Sequence, residues 1–421
     1  MGRNGKESVG AQRRLLVLGG NRYNVPGIRA ASQAGFFTIV ADRNPQAPGL
    51  EVADIGLPID LSDYERLIPA IDAHGGVDGV ISMSEAGVRP AACIADSYGL
   101  SSIPTAAADR ATSKAAMRRE WSRLGRFSVD YGVAKTEREA LAICKRLGTF
   151  PLVFKPDRSL GGSRGVSRVA DLSRVDEAFA FAKSGGLSDS DVVIEPFIVG
   201  TEHSAEVLIW AGQTSVLCIG EKVKSPFPYR VDISVQYPAR LSPSQEKTVA
   251  DMCHEAVTAL GLTQGIAHVE FAYTASGPVL FELGARCGGG HTPQIAHHVS
   301  GVNEFIESCR MACGMEPCQF RPSTPQGADY RFLIFPPGKL SKVTIPPEVT
   351  SQRNILDVDV TLRQGDEIQP LRTTSERAGF VVTRGTSREE AVDLADWASR
   401  LITVGYEDGA AAPAYVPADV G

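Results

Sequence analysis

No apolar run in the 421 residues reaches the roughly 18 that a membrane-crossing helix needs. No Lys/Arg block occurs either, and 43 basic side chains stand against 49 acidic ones, for a net charge of −6. That balance excludes an electrostatic partner such as nucleic acid or an anionic lipid surface. The eight cysteines are irregularly spaced and include no C-x-x-C pair, so neither a disulfide framework nor a paired-cysteine metal site is expected. Cys309, Cys313 and Cys318 lie closest together. Cys309 and Cys313, one helical turn apart, read as an apolar helix face or, less simply, as part of a metal site. Two phosphate-binding patterns are also missing, G-x-G-x-x-G and G-x-x-x-x-G-K-[ST]. A nicotinamide-linked dehydrogenase and a Walker-type nucleotidase lose their fingerprints with them. Residues 1–11 are polar and basic with no apolar stretch, so they read as an unstructured tail rather than a leader. The chain is expected to be a reduced, cytoplasmic protein.

What is present begins with a short apolar run, residues 15–18, closed by Gly19-Gly20. A helical stretch (25–35), a second apolar strand (37–40, ending near Asp42) and a further strand and helix (79–82 and 87–98) follow. Strand, helix, strand predicts a doubly wound α/β unit over residues 12–111. Such sheets bind ligands beyond the carboxyl ends of their strands, where Gly20, Asp42 and Glu85 fall. Glu85 either faces a substrate there or caps the next helix.

The most informative segment is His268-Val269-Glu270-Phe271, a turn, then Val279 to Arg286. Both halves alternate as strands do, and the turn predicts a hairpin with Glu270 directly opposite Glu282. Val269, Phe271, Phe281 and Leu283 then share the other, buried face. Like charges facing each other across a strand pair are destabilising. Partly desolvated, they demand a shared proton, a basic neighbour such as Arg286, or a divalent cation. Mg²⁺ sits on one or two carboxylates together with substrate phosphates. A solvated surface hairpin is the plain alternative.

Upstream, an apolar strand delivers Lys155 at its end and is followed by Gly161-Gly162-Ser163-Arg164-Gly165. Glycines let backbone N–H groups approach phosphate, and the lysine supplies a point charge. No helix follows, so the loop is a hairpin tip, either a lid or simply mobile. A third stretch, Ile194-Glu195-Pro196-Phe197-Ile198 through Glu202, reads on its own as a strand and turn with two acidic residues. Beyond residue 330 short strands (331–335, 380–383) and a helix (388–404) suggest a small α+β unit, and residues 409–421 read as loose.

In order, Lys114, Lys155, the Gly161–Gly165 loop, Glu195 to Glu202, Glu270, and Glu282 with Arg286 resemble the ATP-grasp superfamily. The resemblance implies an N-terminal doubly wound α/β domain (12–111), a two-lobed ATP-grasp domain (112–325, smaller lobe about 125–195) and a small C-terminal α+β domain (326–408). It also implies roles. Lys114 and Lys155 bind ATP phosphates, with Gly161, Gly162, Ser163 and Gly165 as the lid. Glu195 with the Phe197-Ile198 backbone holds adenine, and Glu202 holds ribose. Glu270 and Glu282 ligate Mg²⁺, which Mn²⁺ can replace, and Arg286 holds the transferred phosphoryl group. Biotin-carboxylase-like members carry Asn where Gly284 stands, which leaves one metal contact, and the number of ions, open. Glu282-x-x-Ala285-Arg286 followed by the Gly-rich turn Cys287 to His291 is instead similar to the L-amino-acid ligases, as is the unit after residue 330.

The function so implied is ATP-dependent amide formation between a small carboxylate and a small amine through an acyl phosphate. A homodimer is the base expectation. Gly289 within that turn and His291 at its end either contact substrate or are structural. Carboxylation, formyl transfer to a nucleotide precursor, and an inactive nucleotide-binding scaffold are the competing readings.

Overall fold

The computed structural model describes residues 12–159, 162–226, 230–318 and 326–415. Gly161, the tail 1–11 and residues 416–421 lie outside the described residues. None of the described helices is long and apolar enough to cross a membrane.

Strands β1 (Arg14–Leu18), β2 (Phe37–Ala41), β3 (Ile55–Leu57) and β4 (Gly79–Ser82) form a parallel sheet in the order β3-β2-β1-β4. Leu15 to Leu18 are fully buried, because helices cover both faces of such a sheet. Leu16, Leu18 and Ile39 pack on one face; Leu15, Val17 and Val40 pack on the other, where Cys309 joins them. The helix-face reading of Cys309 therefore holds. At the carboxyl ends, Gly19 turns at φ +105° and the Gly20 amide donates to Asp42 Oδ2 at 2.8 Å. The helix Glu85–Tyr98 starts on the same edge. This is the α/β unit the pattern predicts, with β3 an additional strand that pattern did not single out.

Strands β5 (Gly132–Ala134), β6 (Leu152–Pro156), β7 (Ser167–Val169) and β8 (Val192–Pro196) make a small antiparallel sheet in the order β5-β8-β6-β7. Its β6–β7 hairpin carries the glycine loop at its tip. The chain then lays down β9 (Thr201–Trp210), β10 (Gln213–Lys224), β11 (Asp232–Tyr237), β12 (Gly265–Thr274) and β13 (Gly277–Gly284). Between β11 and β12 runs the helix Pro243–Leu260. Ser242 and Gln245 close a reciprocal capping box at its start, and Gly261 ends it at φ +74°. Its buried face meets Trp121, Leu280 and Leu283 beneath the sheet. Each such fully buried side chain contributes about 1.5–3 kcal/mol of transfer free energy.

Beyond residue 326 come β14 (Gly327–Leu333), β15 (Gly338–Thr344), β16 (Ile355–Val360), β17 (Glu367–Ile368), β18 (Gly379–Gly385), β19 (Thr403–Tyr406) and β20 (Ala411–Pro413). Three of them do not form a sheet of their own. β14, β18 and β16 extend the preceding strands into one eight-stranded sheet, β13-β12-β9-β10-β11-β14-β18-β16. Residues 411–415 are not loose: β20 pairs with β19, and Ala414 is 2 % exposed.

Candidate functional site

The hairpin β12–β13 has the predicted register, with Glu270 paired to Glu282. The ladder then shifts between Glu270 and Phe271, and Phe271 pairs with Leu280. Phe281 is therefore the extra residue of a bulge, which re-aims side chains at a strand edge. Leu280 and Leu283 enter the core, whereas the Phe281 ring lies 5.5 Å from Lys155 Nζ. The expectation that Phe281 shares the buried face is corrected accordingly.

The two facing carboxylates are each neutralised by a separate lysine. Lys222 Nζ lies 3.0 Å from Glu270 Oε2 and Lys114 Nζ 2.9 Å from Glu282 Oε1. The lysine side chains are 7 % and 10 % exposed and the carboxylates 35 % and 36 %, so the acidic ends reach solvent while the cations are buried. Burial opposes ionisation of Glu270, but Lys222 and His268 outweigh it and hold its carboxyl well below the usual range. Two half-open carboxylates on one face are the oxygen donors that a hard divalent cation takes. Among the described residues no group of three or more His, Cys, Asp or Glu side chains forms a metal cage. An ion here would complete its shell with phosphate or water oxygens.

Arg286 is not the neutralising neighbour of that pair. Its Nε donates to Glu85 Oε2 at 3.1 Å and its Nη1 to the Cys287 carbonyl at 2.8 Å. Gly284 makes this possible. A Cβ there would stand 3.2 Å from Arg286 Cζ and 3.3 Å from Glu85 Oε2. Glu85, the first residue of its helix, thus faces the cleft rather than capping the helix. Burial raises its pKa, against the pull of Arg286.

Lys155 pairs with Glu195, whose carboxylate also receives Arg118 Nε at 2.7 Å and Nη2 at 3.1 Å. Glu195 is 2 % exposed. Burial works against its charge, yet Arg118 and Lys155 lower its pKa to about 2. Both Glu195 oxygens thus face cations inside the protein, and the Phe197 amide is taken by the Pro151 carbonyl at 2.9 Å. Glu202 receives Lys224 at 2.6 Å and Arg230 at 3.2 Å, and Lys224 also reaches Asp232 at 2.7 Å.

At the hairpin tip Gly162, Ser163 and Gly165 all have positive φ. Gly165 packs so tightly on Gly185 that a Cβ would come within 3.0 Å of it. The Gly162 carbonyl accepts from Thr374 Oγ1 at 2.9 Å. Gly162 also sits on the rim of a cleft lined by Tyr23, Ser84, Glu85, Arg286 and Gly289. His291 does not open onto that cleft. It is 7 % exposed, with its ring centroid 4.5 Å from that of Phe380 and 5.5 Å from that of Tyr330. Of its two readings, the packed structural histidine is the one its surroundings match.

Three residues of the site went unread in the sequence. Lys222 and Lys224 stand at the end of β10, and their alternation with Glu221 and Val223 was the available signal. His268 contacts Glu206 through Nδ1 and lies 3.3 Å from Glu270 through Nε2. Burial opposes its charge, but Glu206 and then Glu270 raise its pKa to about 9.

An ATP-grasp domain model matches residues 148–294, and a model for L-amino acid ligase C-terminal domain 2 matches residues 331–407. The uncharacterized protein y4rH of Sinorhizobium fredii is 27 % identical over 429 residues, spanning 98 % of this chain and 84 % of that one. Formate-dependent phosphoribosylglycinamide formyltransferase of Trichormus variabilis is 26 % identical over 400 residues, 92 % of this chain and 97 % of its own. The crystal structure of L-amino acid ligase from Bacillus licheniformis superposes with a TM-score of 0.80 at 23 % identity, covering 94 % of this chain and 99 % of that one, a likeness of fold. The chain thus carries a match to an ATP-grasp domain followed by a match to an L-amino acid ligase C-terminal domain, and in this order of domains it resembles the ATP-grasp ligases, the L-amino-acid ligases among them.

Proposed function

We propose that the chain joins a small carboxylate, an amino acid, to a small amine at the expense of ATP. The observation that carries this reading is the opposed pair Glu270 and Glu282, backed by Lys222 and Lys114. Arg286 stands beside that pair, in a cleft rimmed by the glycine hairpin.

In this reading Lys155 and Lys114 meet the nucleotide phosphates, and residues 162–165 close over them. Glu202 lies at the ribose end and the Phe197-Ile198 segment at the base. Glu195 acts from below, holding Lys155 and Arg118 in place. Glu270 and Glu282 would hold Mg²⁺, which when bound offsets charge on the phosphates during transfer. A carboxylate oxygen of the substrate attacks the γ-phosphorus, and the bond to the bridging oxygen breaks, releasing ADP. The amine nitrogen then attacks the acyl carbon, phosphate leaves, and the amine gives up a proton. Arg286 faces the anionic acyl phosphate, fixed in direction by Glu85 so that little reorganisation is needed. Closure of the hairpin keeps water from the acyl phosphate.

The 400-residue match to a formyltransferase supports a second reading, formyl transfer to a phosphoribosyl amine. The cleft lining argues for the first: among its described residues Arg286 is the lone cation, and it serves the acyl phosphate in either reading, which leaves none for a phosphoribosyl group. The deciding experiment incubates the protein with Mg·ATP and a matrix of amino-acid pairs, reading phosphate release and product mass. A new amide with equimolar ADP and phosphate is expected. Product only from formate and a phosphoribosyl amine would replace this proposal with the second reading.

A further inference from the structure

We infer that His268 is a positioning residue that couples Glu270, on the metal side of the site, to the Gly288 turn on the substrate side. The coupling, which rests on the function proposed above, is built from side chains of three separate segments. His268 sits between two carboxylates, with Nδ1 on Glu206 Oε1 and Nε2 3.3 Å from Glu270 Oε1. Glu206, 1 % exposed, turns its other oxygen to the Gly288 amide at 3.0 Å. One line of contacts therefore runs Glu270, His268, Glu206, Gly288.

Both ends of the line are fixed. At one end Lys222 holds the second oxygen of Glu270, so lysine and imidazole together set the plane of that carboxylate. At the other end a Cβ on Gly288 would stand 2.7 Å from Glu206 Oε1 and 2.5 Å from Thr292 Cγ2, so the turn lies flush on the Glu206 carboxylate. Gly288 and Gly289 both line the cleft in which the carboxylate substrate is placed. Beneath, Glu304 is fully buried, and burial together with the adjacent Glu206 keeps its carboxyl well above the ordinary range.

Hydrogen-bond partners that orient a ligating carboxylate are worth about 10- to 100-fold in metal affinity. Tilting His268 would thus weaken the ion at one end and release the Gly288 turn at the other.

Two isosteric replacements separate the ends. Asn places its amide nitrogen near the Nδ1 position and so keeps Glu206; Gln places it near Nε2 and so keeps Glu270. The full chain is titrated with Mn²⁺ in the presence of a non-hydrolysable ATP analogue, followed by electron paramagnetic resonance. KM for the carboxylate substrate is measured in parallel. His268→Asn is expected to bind Mn²⁺ about 10- to 100-fold more weakly with KM little changed. His268→Gln is expected to keep Mn²⁺ affinity within a few-fold and to raise KM. Wild-type Mn²⁺ binding in both variants overturns the inference. So does an equal loss of both properties in both variants accompanied by a lower melting temperature, which marks a purely structural histidine. Glu282→Gln serves as the reference. If it also binds Mn²⁺ like the wild type, the metal reading itself has failed; if it alone loses the ion, only the coupling falls.

Discussion

Arg286 reaches across 201 positions of sequence to Glu85, at 3.1 Å, instead of turning to the nearby Glu282 at the end of β13. That pairing joins the N-terminal α/β unit to the end of the β12–β13 hairpin, where the proposed acyl phosphate would form. The absence of a side chain at position 284 leaves the pair room, since a Cβ there would crowd both partners.

Gly284→Ala is expected to push the guanidinium off Glu85. The added Cβ would sit 3.2 Å from Arg286 Cζ and 3.3 Å from its Nη2, tighter than ordinary contact. A misplacement of about 1 Å at a positioning residue can cost about 100-fold. The expected result is a fall of that order in kcat/KM with an unchanged circular dichroism spectrum. Wild-type kinetics would show that Arg286 does not need this path.

Glu282→Gln removes a proposed ion ligand while conserving shape. ATP turnover, read as phosphate release, is expected to vanish into background. Lys114 is left buried with one partner fewer, and unpaired buried polar groups cost about 1–3 kcal/mol. A modest drop in melting temperature should therefore accompany the loss. Phosphate release at the wild-type rate would remove Glu282 from the metal assignment.

The buried Glu195 makes a pH prediction. Its pKa is lowered in the folded protein from an ordinary 4.5 to about 2. A depressed carboxyl stabilises the fold above its unfolded pKa, and that contribution disappears as pH falls from about 4.5 toward 2. The shift corresponds to about 3 kcal/mol at neutral pH. Urea unfolding of wild type and Glu195→Gln should differ by this order at pH 7 and converge near pH 2. Parallel curves throughout would mean that Glu195 carries no such charge.

Thr374→Ala deletes the hydrogen bond that the C-terminal part gives to the Gly162 carbonyl. One such bond is worth about 0.5–1.5 kcal/mol, or roughly 2- to 10-fold. KM for ATP should rise by that factor, and trypsin should cut sooner after the exposed Arg164. Unchanged proteolysis and KM would indicate that the contact does not restrain the hairpin.

Much of this site was legible in the sequence, and the failures have physical causes. The opposition of Glu270 and Glu282 followed from two alternating runs and a short turn, since a period of two leaves few registers. Phe281 was misread because a bulge adds one residue without marking it in the alternation. Lys222 and Lys224 were missed because a strand floor made of charged side chains looks like an exposed one. The Arg286–Glu85 pair depends on how the first sheet meets the last hairpin, which no local pattern encodes. The Glu195–Arg118 pair went unread because its two residues are 77 positions apart.

The shared ladder between β11 and β14 also decides how the molecule can be divided. Cutting the chain near residue 326 would not release a tidy catalytic half. It would strip β11 of its neighbour on one side and bare an edge bearing Val235 and Tyr237, the kind that recruits other chains. Among the described residues the β5–β8 strands pair only with one another, whereas β9 to β14 share a single sheet with β16 and β18.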